Sequence, residues 1–179
     1  MLCLMLMATG CKTQQEGRCH IYGKMESGRW DGKKIFLVPM FGMQDAEHVD
    51  SVVVKDGKFE FTADTVEMKV IRLDYHFRDG VQDLLVVTEP GEVQVTIGAN
   101  STTAGTPQND SLQVWKDQLM RYNVAYNRLR LQATPSASDS LMARGREIQQ
   151  ALRNYIKVFK ARQPEGELKN FLVKMYPTL

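Results

Sequence analysis

Along residues 18–107 apolar residues alternate with polar ones in short runs, and from residue 108 onward they recur every three or four positions. The first pattern predicts strands. Asp56-Gly57 lies between "SVVVK" and "KFEFT", the signature of a two-residue hairpin loop. Pairing outward from it sets Lys55 against Lys58, Val54 against Phe59, Val53 against Glu60 and Val52 against Phe61, so that Val52, Val54, Phe59 and Phe61 share one apolar face. A second hairpin is predicted at Glu89-Pro90-Gly91-Glu92, where Pro presets a turn and Gly accepts a positive φ. It brings Leu84 and Val86 beside Val93, Val95 and Ile97. With "RCHIYGKM", "KKIFLVPM" and "MKVIRLDY" there are about seven short strands, for which an antiparallel β-sandwich over 18–107 is the natural packing.

The second pattern predicts helices over 108–179. Leu112, Trp115, Leu119, Tyr122, Tyr126 and Leu129 line one helical face, with Asp110 and Gln113 as a capping-box start. After "TPSAS", Leu141, Ile148, Leu152, Tyr155 and Phe159 line another, so the two helices should pair as an antiparallel hairpin. A short third helix is predicted in "GELKNFLVKMYP", ending at Pro177. The predicted class is α+β: a sandwich of about seven strands, a helical hairpin and a short third helix.

The start of the chain follows neither pattern. Leu2 to Met7 is an apolar run far short of the roughly 18 residues that cross a bilayer. It ends in Ala8-Thr9-Gly10-Cys11, which resembles the lipobox of bacterial lipoproteins. The resemblance implies that residues 1–10 are a signal peptide, that Cys11 takes the acyl chains (palmitate and its like), and that residues 11–17 are a polar tether. It places the protein in the bacterial cell envelope, held at a membrane by lipid and facing the periplasm or the surface. Cys11 and Cys19 then remain in the mature chain, and with Cys11 acylated no intrachain disulfide is expected. A thiol at Cys19 with no resolving partner cannot run disulfide reduction alone.

Net charge is +2, but its distribution is uneven. Residues 12–107 hold 11 Lys/Arg against 15 Asp/Glu, and residues 108–179 hold 12 against 6. The basic helices suggest that Arg128, Arg144 and Arg153 contribute to a surface for an acidic partner. C-x-x-C, H-E-x-x-H, G-x-S-x-G and the P-loop are all missing, and His20, His48 and His76 have no ligand spacing, so no metal, cofactor or nucleic-acid function is expected. Two weak ligand-binding candidates stand out. Asp74 and His76 alternate onto one strand face and could act as an acid/base pair or half a metal site, while Trp30, in the loop "SGRWDGKK", could stack on a sugar, dock on a partner or cap the edge of the core.

The lipobox, the strands "DSVVVKDGKFEF" and "LLVVTEPGEVQVTI", and "GTPQND" leading into a helical hairpin together resemble the domain-of-unknown-function 4369 family. In larger members that module precedes a thioredoxin-like domain of the envelope thiol:disulfide reductase type. The W-C-x-x-C centre of such a domain has no counterpart in these residues. The resemblance therefore implies a non-enzymatic envelope lipoprotein, an accessory or adaptor module for an envelope redox or other protein. The alternative is a glycan- or peptide-binding sandwich using Trp30. An exposed apolar strip on the helices would favour the first, and a concave aromatic groove at Trp30 the second.

Overall fold

The computed structural model describes residues 17–74, 80–132 and 138–179. Eight strands form two four-stranded sheets. Their ranges are β1 Cys19–Met25, β2 Lys34–Pro39, β3 Asp50–Val53, β4 Lys58–Ala63, β5 Met68–Leu73, β6 Leu84–Val87, β7 Gly91–Ile97 and β8 Thr102–Ala104. The first sheet runs β4-β1-β7-β8 and the second β3-β2-β5-β6. Three helices follow: α1 Pro107–Leu131, α2 Ser138–Arg162 and α3 Glu167–Met175. The fold is α+β, with α1 and α2 packed against each other.

Burial follows the alternation. In β4, Phe59, Phe61 and Ala63 are buried while Lys58, Glu60 and Thr62 are exposed. In β1 and β7, Cys19, Ile21, Met25, Val93, Val95 and Ile97 face inward. They meet Ile35, Leu37, Ile71, Leu73, Leu84 and Val86 of the second sheet in one core. The second sheet is covered on its other face too. Met68 and Val87 pack with Leu112 and Trp115 of α1 and with Leu168, Phe171 and Leu172 of α3. That explains why Met68–Ile71 are all buried and "LLVV" is an unbroken apolar run while "KFEFT" alternates.

Both predicted hairpins are corrected. Asp56 and Gly57 have positive φ, 51° and 68°, as a type I′ turn requires, and Lys55 pairs with Lys58. Beyond that pair the strands part: β3 joins β2 in one sheet and β4 joins β1 in the other. Val54 N–H donates to Lys33 O instead of pairing with Phe59. The Glu89-Pro90-Gly91 turn also crosses between sheets, and β7 runs parallel to β1, with Gly91 opposite Cys19. The apolar residues assigned to each hairpin do share a core, facing one another from opposite sheets. β8 is the strand that periodicity did not predict, being three residues of "TTA".

Gly23 faces the core where other residues of β1 carry side chains, and the ring of Phe59 fills its place; a Cβ there would lie 2.0 Å from Phe59 Cζ.

The predicted start of α1 moves one turn earlier, with Thr106 as N-cap and Pro107 in the first turn. Gly105 makes the entry possible: its φ is +110°, and a Cβ would come 2.4 Å from Glu92 O. Glu89 accepts from the main-chain N–H of Gln108 at 2.6 Å and of Asn109 at 3.3 Å, and so caps the helix from the neighbouring turn. Asn109 is fully buried. Its Nδ2 donates to Val87 O and Thr106 Oγ1, both at 2.8 Å, and its Oδ1 accepts from Val87 N–H at 2.9 Å. One amide side chain thus continues the second sheet past β6 and fastens the helices to it. Asp110 accepts from Gly105 N–H, and Gln113 Oε1 accepts from Thr103 N–H, so neither forms the capping box.

Candidate functional site

Trp30 closes a single 3-10 turn, Gly28–Trp30, and is 7% exposed within the sandwich core. The Arg29 guanidinium lies 4.4 Å from the ring centre. The ring caps the edge of the core and forms no open aromatic groove. Asp74 is exposed just past the end of β5, and His76 lies outside the described residues, as does Cys11. Asp83, from the same stretch of sequence, pairs with Arg72 at 2.9 Å. Arg128, Arg144 and Arg153 are all exposed on the helical hairpin. Gly145 is placed against Leu129 and Tyr126, which sets Arg128 and Arg144 near the same end of the hairpin, while Arg153 lies toward the level of Tyr122 and Tyr155.

Cys19 is 1% exposed, and its thiol is pushed up to about 11 by burial and then by the nearby Glu89 carboxylate. At neutral pH it is a protonated core thiol. Among the described residues no group of three His, Cys, Asp or Glu side chains is placed to hold a metal ion, and no helix is long and apolar enough to cross a membrane.

Several concavities among the described residues were not signalled by the sequence. The outer face of the first sheet forms a depression of about 710 Å³ walled by Tyr22, Lys24, Glu60, Gln94, Thr96 and Gln113. A cleft of about 390 Å³ lies beside the start of β5 and the loop after β2. Lys69 sits in it with its side chain 7% exposed, 3.3 Å from Glu67 and 3.8 Å from Asp50. These carboxylates offset the cost of burying the ammonium, so the group is an ion-paired support of the strand end. At the cleft's rim Asp45 and His48 bond at 2.5 Å, and the imidazole contact holds the Asp45 carboxyl below its usual range. Between β6, β8 and α1 a cavity of about 140 Å³ is walled by Leu85, Leu112, Trp115 and Lys116. Burial lowers the Lys116 pKa, and the ammonium donates to Ser101 O.

Tyr22, Val53 and Val66 are exposed apolar residues on the sandwich, and the others lie on the helices or in the loop after β2. Near α3, Phe41 and Met43 from the loop after β2 are 39% and 65% exposed, and Val173 and Met175 of α3 are 48% and 46% exposed. Phe41 is tied to α3 by Phe171, 6.3 Å between ring centres, and by Lys174, whose Nζ lies 4.5 Å from its ring. Farther along the hairpin Val124, Leu131 and Met142 are also exposed.

These features define a class of protein: a two-layer β-sandwich with a helical layer on one sheet. The chain belongs to the DUF4369 family, described as a domain of unknown function, whose model matches residues 19–112. The match covers all eight strands and the first turns of α1, including the Asn109 fastening. Neither the curated proteins nor the solved structures contain a match to the chain.

Proposed function

We propose that this protein is a lipid-anchored envelope module that acts by holding a partner protein and has no turnover of its own. The observation that supports it is the set of exposed apolar residues on and next to α3: Phe41 and Met43 of the loop after β2, the first in contact with α3 through Phe171 and Lys174, and Val173 and Met175 of α3 itself. The burial of Trp30 weighs against the alternative of a glycan- or peptide-binding groove at that residue. The partner class comes from the family resemblance, in which this module accompanies thioredoxin-like envelope redox proteins. Cys19, with its raised pKa and buried sulfur, is poorly suited to attack a disulfide itself.

The test is co-purification of the acylated protein with a tagged envelope thioredoxin-like protein of the same cell. Wild type should retain it, and Met43→Asp combined with Val173→Asp, both at exposed positions, should lose it while keeping the wild-type melting curve. Retention by the double variant, or multiple turnovers of a disulfide substrate that Cys19→Ala abolishes, would contradict the proposal.

A further inference from the structure

Only the beginning of α1 is held by the sandwich. Its buried residues are Asn109, Leu112 and Trp115, and from Trp115 to Leu131 the helix continues for ~24 Å at about 1.5 Å per residue. Along that length Tyr122, Tyr126 and Leu129 serve the contact with α2: Tyr122 and Tyr155 have ring centres 6.1 Å apart, and Tyr126 and Leu129 approach Gly145. At about 100° per residue, Val124 and Leu131 fall on the opposite side of α1 from these three. They are 46% and 88% exposed. Being seven residues apart, they form a stripe along the helix, and Arg121 and Arg128, also seven apart and exposed, run beside it.

This arm is rich in arginine. Arg18, Lys69, Arg72 and Lys169 each have a carboxylate partner. Arg121, Arg128, Arg130, Arg144, Arg146 and Arg153 have none among the described residues. The outer face of α1 therefore presents Arg121 and Arg128, without ion pairs, beside Val124 and Leu131, with Asp117 as the acidic residue one turn before Arg121. Nucleic-acid phosphates would use the arginines but leave Val124 and Leu131 in water. An anionic bilayer uses both, since aliphatic side chains enter the acyl boundary while arginines reach the headgroups from beside them.

We propose that the outer face of α1, Val124 and Leu131 flanked by Arg121 and Arg128, rests on the surface of an anionic phospholipid bilayer. This contact would set the tilt of the sandwich above the membrane, and it is separate from the α3 surface proposed for a protein partner.

The test uses the full chain with Cys11→Ser, so that no acyl chain contributes, in co-sedimentation with vesicles of phosphatidylglycerol and phosphatidylcholine (3:7) against phosphatidylcholine alone. The protein should sediment with the anionic vesicles and stay in solution with the neutral ones. Arg121→Glu with Arg128→Glu should weaken partitioning at least tenfold, and more salt should weaken wild type. Val124→Asp with Leu131→Asp should also lose binding although both arginines remain. All four positions are exposed, and an unchanged circular dichroism melt confirms that each variant is folded. Equal sedimentation with both vesicle types, no sedimentation with either, or wild-type binding by either double variant would overturn the proposal. So would complete displacement by soluble polyglutamate with the aspartate variant still bound, which would identify an acidic protein surface as the occupant.

Discussion

Replacing Asn109 by Ala tests how the helices are fastened to the sandwich. The amide satisfies both main-chain groups of Val87, the N–H at 2.9 Å and the carbonyl at 2.8 Å, and Val87 is itself fully buried. Truncation leaves that donor and that acceptor without a partner where water has little access. At about 1–3 kcal/mol for each of the two orphaned groups, the loss should be about 2–6 kcal/mol. Asn109→Asp keeps the shape and one acceptor but removes the donors to Val87 O and Thr106 Oγ1, so it should cost no less. The assay is urea unfolding followed by fluorescence in a Trp30→Phe background, where Trp115 at the helix–sheet junction is the one remaining tryptophan. Both variants should lose the Trp115 signal at lower urea than their parent. An Asn109→Ala protein within about 0.5 kcal/mol of the parent would refute the reasoning. An Asn109→Asp protein as stable as the parent would show that shape, not hydrogen bonding, is what the site needs.

Gly23→Ala should destabilise by about 1–3 kcal/mol, because the new methyl meets the Phe59 ring, and adding Phe59→Leu should recover part of the loss in the same urea assay. The Cys19 thiol titrates near 9 when unfolded and is pushed up to about 11 when folded, so stability should be constant below pH 9 and decline from pH 9 to 11. Cys19→Ala should decline less, keeping only the part due to groups such as Tyr155 and Tyr176, whose pKa values burial also raises, and a wild-type unfolding midpoint that does not fall relative to the variant in that window would contradict the burial argument. Expression with a radiolabelled fatty acid should label wild type but not Cys11→Ser, and equal labelling of the two would remove the lipid anchor from the account.

Periodicity located seven of the eight strands: six carry at least two inward apolar residues, and β3 is marked by Val52 together with Val54 just past its end. β8 escaped because its pairing with β7 shows no such pattern in "TTA". The pairing of strands was less legible than their positions. Val52, Val54, Phe59 and Phe61 alternate identically whether β3 and β4 lie in one sheet or face each other across the core, so the Asp56-Gly57 turn chemistry was right and the sheet assignment was not. The start of α1 was displaced for a similar reason. Asp110 and Gln113 have capping-box spacing, but the helix N-terminus is capped by Glu89, 19 residues away from Gln108, which no local pattern reveals. For the candidate surfaces, the basic character of the helices was readable from composition alone. Which of those arginines lie beside exposed aliphatic residues depended on which face of α1 turns toward α2.

The central claim, that the helical side near α3 holds a protein partner, is tested most directly by site-specific photocrosslinking in intact cells. A photoreactive residue is placed singly at Met43, Val173 or Met175, and at Glu60 or Gln94 on the outer face of the first sheet. The account predicts that the three apolar positions yield one common protein adduct, identified by mass spectrometry as a thioredoxin-like envelope protein, and that Glu60 and Gln94 do not. An adduct formed at Glu60 or Gln94 but at none of the three positions beside the helices would contradict it.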